Sequence, residues 1–138
     1  MGHPTIYPTG VTVYNPEKCW NGFTIFQALE MGAVLMNMNG RENKVWKGVH
    51  GFPNKIFPGG YLMTSRGSRD GRYGVQDGLD LVQIDWDGNV VWKFDRNEYI
   101  EDPGIPGRWM ARSHHDYQRE GSTTGYYAPG MEPKTDSG

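Results

Sequence analysis

Short runs of alternating apolar and polar residues, punctuated by glycine- and proline-containing turns, recur between residues 22 and 95. In Gly22-Phe23-Thr24-Ile25-Phe26-Gln27, Phe23 and Ile25 fall on one face and Thr24 and Phe26 on the other. Period two with aromatic and β-branched residues predicts a strand. The same logic predicts strands near 33–39, 44–48, 60–65, 80–86 and 89–95, with almost no helix. The clearest hairpin spans 80–95. There Val82, Ile84 and Trp86 share one face, and Val90, Trp92 and Phe94 share one face of the returning strand. Asp87-Gly88 lies between them, a pair suited to a tight turn with positive φ. Val11-Thr12-Val13-Tyr14 is a further short β-type run, stopped by Asn15-Pro16.

Two of these hairpins resemble each other. Val34-Leu35-Met36-Asn37-Met38-Asn39-Gly40 runs on to Trp46-Lys47, and Leu81-Val82-Gln83-Ile84-Asp85-Trp86-Asp87-Gly88 runs on to Trp92-Lys93. The tryptophans lie 46 residues apart. A period of roughly 40–50 residues built from short strands is the mark of β-propeller blades. The expected class is therefore all-β, with four-stranded antiparallel blades and roughly two to two and a half of them here. The chain divides into an entry arm with a first strand (1–21), a first blade region (22–64) and an Arg/Gly loop (65–79). A second blade region (80–120) and a Gly/Pro-rich tail (121–138) follow. Residues 96–108, charged and proline-rich, read as a loop crossing between blades.

Composition narrows the function classes. In 138 residues the formal net charge is -2, which gives no basis for a nucleic-acid or anionic-membrane partner. Twenty glycines and nine prolines suit a turn-dense β protein, and eighteen aromatic residues argue against disorder throughout. A single cysteine, Cys19, rules out an intrachain disulfide. No apolar run approaches the ~20 residues of a membrane-spanning helix. Met1-Gly2-His3-Pro4 does not open as a secretory signal, which leaves the compartment open between cytoplasm and a secreted mature form.

Histidines and arginines are the candidate chemistry. His50 follows the first hairpin, and His114 and His115 follow the second; His3 sits in the proline-rich arm. Imidazole serves as general base or nucleophile near neutral pH. Adjacent strand residues face opposite ways, so only one of His114 and His115 can enter a shared channel. Arg66 and Arg112 flank apolar strands, and a guanidinium fork matches sulfate, phosphate or carboxylate oxygens. Arg69 and Arg72 read as solvated loop residues. His114-His115-Asp116 cannot all bind one ion from a single strand, and no metal site is expected.

The order of His50, the Pro-Gly-Gly turn and apolar strand to Met63, the segment Asp80–Asp95, and then His114-His115-Asp116 resembles the arylsulfotransferase family over about residues 22–120. That resemblance implies a six-bladed propeller that moves a sulfuryl group between phenolic esters and phenols, with no nucleotide donor and no cofactor. It implies that His115 becomes transiently sulfated, with His114 as the fallback. His50 would exchange protons with the phenol oxygen, and Arg66 would hold the sulfuryl oxygens. The partners implied are an aryl sulfate and a phenol, together with further blades or copies of the chain. The competing class is a non-catalytic propeller module that binds a partner or assembles with itself. A quinone-dependent propeller dehydrogenase is a third class, for which the acidic and asparagine ligands are missing.

Overall fold

The computed structural model describes residues 11–74 and 77–117. Nine strands are formed among them: β1 (Phe23–Ala28), β2 (Gly32–Asn37), β3 (Glu42–Trp46), β4 (Lys55–Phe57), β5 (Tyr61–Thr64), β6 (Val82–Ile84), β7 (Val90–Lys93), β8 (Glu98–Asp102) and β9 (Ile105–Met110). The helical content among the described residues is one 3-10 turn at Pro58–Gly60 and one four-residue turn, α1 (Gly71–Gly74). The chain is all-β. Among the described residues three antiparallel sheets have the orders β1-β2-β3, β4-β5-β6-β7 and β8-β9, and none of them closes into a barrel.

Six strands stand within a few residues of where the alternation places them, and three do not follow from it. β4 lies in the stretch before the expected Pro-Gly-Gly turn, where no strand is expected, and the stretch 96–108 is largely the β8-β9 hairpin. Pro103 and Gly104 make the two-residue turn between paired Asp102 and Ile105, with Gly104 at φ 76°. Pro106 is tolerated because, among the described residues, this two-stranded ribbon has no further strand on either edge. Val11–Tyr14, expected as a strand, forms none, and Val13 is exposed. The expected tail, 121–138, and His3 lie outside the described residues.

The core lies between the first two sheets. Ala33, Leu35 and Trp46 of the first meander pack with Leu62, Val82 and Ile84 of the second, and Val49 fills the connection. Burying side chains of this size stabilises by about 1.5–3 kcal/mol each. β2 approaches β3 closely at Gly32, φ 108°, where any Cβ would collide with the Trp46 carbonyl.

The two meanders share a turn down to individual hydrogen bonds. Asn37 Oδ1 accepts from the amides of Asn39 and Arg41 (both 3.0 Å), and Asp85 Oδ1 accepts from those of Asp87 (2.9 Å) and Asn89 (2.8 Å). The Gly40 amide donates to the Asn37 carbonyl just as the Gly88 amide donates to that of Asp85. Each turn is followed by a bulge: Met36 pairs Glu42 while Leu35 pairs Lys44, and Ile84 pairs Val90 while Gln83 pairs Trp92. The structural offset is thus 48 residues, read from Asn37 to Asp85. It matches Trp46 with Phe94 and Lys44 with Trp92. The tryptophan repeat is therefore not a structural equivalence. The extra residue at the bulge also breaks the expected common face of Val90, Trp92 and Phe94.

The excursion between β5 and β6 is tied down rather than free. Ser68 bridges Gly78, the Gly78 amide donates to Ser113 O, and the Ala111 amide donates to Leu79 O. Arg69 is the electrostatic centre of this region. Its Nε donates to Asp102 Oδ2 (2.9 Å), Nη1 to Asp77 Oδ2 (3.1 Å) and Nη2 to Asp102 Oδ1. Its side chain is 15% exposed, so the expected solvated loop arginine is in fact a half-hidden clamp between loop and hairpin. Arg72, in contrast, is exposed and pairs locally with Asp70.

Candidate functional site

The cleft beside β1 is lined by one of the predicted site residues, His50. It measures about 780 Å³, and Ile25, Phe26, Leu29, His50, Phe52 and Asn54 are among its lining residues. Its inner wall is fixed by a polar chain that joins the two meanders. Gln27 Nε2 donates to Val49 O (3.0 Å), Asn54 Nδ2 donates to Gln27 Oε1 (3.0 Å), and Thr64 Oγ1 donates to Asn54 Oδ1 (2.7 Å). Asn54 and Thr64 are buried, so their bonds are needed to offset lost hydration. A side chain at Gly51 would overlap both of those oxygens. Gly51 thus sets the path of the chain between His50 and Phe52.

His50 is an exposed lining residue of this cleft, and its amide donates to Ser65 O (2.6 Å). His115 reaches the same region through Phe52, with ring centroids 6.0 Å apart. His114 packs edge-on against His115 at 4.0 Å. The two histidines lie in a tight reversal: His114 bridges Asp116, and His115 holds φ 64° at its tip. They are not on a regular strand, so the alternation expected to send them to opposite faces does not apply. Asp116 binds Lys55 Nζ (2.5 Å) and accepts the Tyr117 amide (2.7 Å). The Lys55 bond is the main cause that holds the Asp116 carboxyl below its ordinary range. Lys55 is almost wholly buried, and its ammonium also donates to Tyr117 O. The single proton of the Tyr117 hydroxyl is shared between the carbonyls of Met63 (2.8 Å) and Pro53, and burial pushes the phenol up. Lys55 and Tyr117 thereby anchor the histidine turn to β4 and β5.

The arginines go elsewhere. Arg66 lines a separate pocket with Lys44, Lys47 and Asp87, and its Nε donates to Asp80 Oδ2 (2.8 Å). It does not line the His50 cleft. Arg112 pairs with Glu98 (3.0 Å) and Asp77 (3.5 Å), and the Glu98 bond is the main cause that raises its guanidinium. Among the described residues no group of three or more His, Cys, Asp or Glu side chains is arranged to hold a metal ion, and Cys19 is exposed. Sequence reasoning overlooked Phe52, Gln27 and Asn54, whose roles depend on contacts across 20 residues or more. No helix among the described residues is long and apolar enough to cross a membrane.

The chain matches no family model, no curated protein and no solved structure.

Proposed function

We propose that the His50–Phe52 cleft takes a small aryl compound and that His115 carries a sulfuryl group between aryl esters and phenols, as the resemblance to arylsulfotransferases implies. One observation carries this: the Phe52 ring lines an apolar-walled cleft with His50 and also contacts His115. A flat apolar ligand suits such a cleft, where a few polar groups fix its orientation. In the proposed first step a neutral His115 nitrogen attacks the sulfur of an aryl sulfate. An N–S bond forms, the S–O(aryl) bond breaks, and the departing phenolate takes its proton from the His50 imidazolium. An acceptor phenol then returns a proton to His50 while its oxygen attacks sulfur, which breaks the N–S bond and restores His115. The sum is one aryl sulfate and one phenol exchanged for another pair. Arg66, engaged by Asp80 and lining another pocket, has no part in this step.

The test is titration of the chain with phenol and phenyl sulfate, followed through the imidazole C–H resonances of His50 and His115. Both should shift in a saturable way, and Phe52→Ala should weaken binding about tenfold, the scale of one buried aromatic contact. No saturable shift at either histidine would overturn the proposal.

A non-catalytic blade module is the second reading, supported by exposed aromatic surface. Phe23 on β1 and Trp109 on β9 are 61% and 66% exposed, and among the described residues no strand pairs with the outer edge of β1. Such edges pair with another chain or with further blades unless they are protected. Sedimentation decides: assembly that Phe23→Lys abolishes supports it, and a concentration-independent monomer contradicts it.

A further inference from the structure

A second concavity, of about 380 Å³, lies where the end of β3 meets the β6-β7 turn. Lys44, Lys47 and Arg66 line it against a single carboxylate, Asp87. This concentration of positive charge runs against the net charge of -2 on the whole chain. Two of the three cations are held in place. The Lys44 ammonium sits 5.3 Å from the Trp86 ring centroid and 5.8 Å from that of Trp46, and those rings meet edge to face at 5.3 Å. Cation–π attraction fixes the ammonium without neutralising it. Arg66 is anchored at one end only: its amide and Nε donate to the two Asp80 oxygens (2.7 and 2.8 Å). Its Nη nitrogens make no hydrogen bond among the described residues, and the side chain remains 46% exposed. The third cation, Lys47, is exposed and makes no ion pair among the described residues. Gly48 and Gly88, at φ 71° and 93°, face open space and leave main chain accessible at the rim.

From this arrangement we infer that the pocket is a binding site for a tetrahedral oxyanion, sulfate or phosphate, free or as a monoester. A guanidinium fork and two lysines lining the same pocket can supply charge-assisted donors to several oxygens at once. The indole floor of Trp46 and Ile84 lies beside that site and lowers the local dielectric, which strengthens the attraction. The site holds no histidine and does not rest on the sulfuryl-transfer reading.

Tryptophan fluorescence and calorimetry, with sodium chloride at matched ionic strength as the reference, test it directly. Sodium sulfate and sodium phosphate should each give a saturable response that chloride does not, and phenyl phosphate separates ester from free anion. Lys47→Glu, a surface change, should weaken binding at least about tenfold, the scale of one charge-assisted contact. Lys44→Gln should do likewise, and His115→Ala should leave the affinity unchanged. A response that only matches chloride overturns the inference. So does unchanged affinity in both lysine variants, provided that their melting temperatures equal that of the parent.

Discussion

The indole Nε1 of Trp46, at the end of β3, donates to the main-chain carbonyl of Asp85 at 3.2 Å, in the β6-β7 turn of the neighbouring sheet. That bond joins two meanders whose turns are copies of one another. Trp46 is 3% exposed and belongs to the shared core, whereas Trp92, paired with Gln83, is only partly buried and lies outside that core cluster. Trp46→Ala should therefore cost about 3–5 kcal/mol, the range for a large aromatic removed from a core. Trp92→Ala should cost clearly less. Urea denaturation of the two variants measures the difference.

The paired Asx turns make a second prediction. Asn37→Ala removes an acceptor for two amides and should destabilise by about 1–2 kcal/mol. Asn37→Asp should be nearly neutral, because Asp85 performs the same task with a carboxylate. Gly88, at φ 93°, should tolerate no β-branched residue. Thermal melts of the three variants give the order.

Acid stability should centre on Arg69. Its hydrogen bonds are the main cause that depresses the Asp102 carboxyl below the ordinary 3.8. A depressed carboxyl contributes stability above its unfolded pKa and loses it as pH falls through the lower folded value. The urea midpoint should stay flat from pH 7 to about 5 and decline below about 4. Arg69→Met leaves Asp77 and Asp102 without their shared cation and should already lower the midpoint at pH 7. Arg72→Met, on an exposed pair, should change little.

At the alkaline end Tyr117 should dominate. Its phenol is raised by burial, so the folded protein keeps a proton that the unfolded chain releases above about pH 10. Stability from this group is complete below that pH and is lost as pH rises further. Tyr117→Phe should flatten the alkaline decline, while lowering stability at pH 7 through loss of the Met63 and Pro53 hydrogen bonds. Denaturation midpoints between pH 7 and 11 test both signs.

The strands that could be read in the sequence are those with apolar β-branched alternation, from Phe23 to Phe94. β8 and β9 were hidden by Glu98, Glu101, Asp102 and two prolines, which look like loop composition. In the structure Asp102 is an acceptor for Arg69, and Pro103-Gly104 is the hairpin turn. β4 was hidden by its length and by Lys55, a charge made tolerable in the interior by Asp116. Bulges add one residue without altering composition, so a period-two pattern cannot register them, and the tryptophans were matched two residues out of phase. The β8-β9 hairpin likewise separates His114 from Trp92 by far more than His50 from Trp46. The packing of the His115 ring on Phe52, which lines the cleft with His50, and the Asp80 bond that holds Arg66 beside another pocket are visible only in the structure.

Intact-mass analysis of the chain, quenched rapidly after mixing with an aryl sulfate, tests the central claim most directly. The account predicts a sulfo adduct that maps to His115, disappears on addition of a phenol with formation of the new aryl sulfate, and is absent from His115→Ala. Transfer at full rate in His115→Ala, with no adduct on His114 either, would contradict it, and so would an aryl sulfate left unchanged by the parent chain.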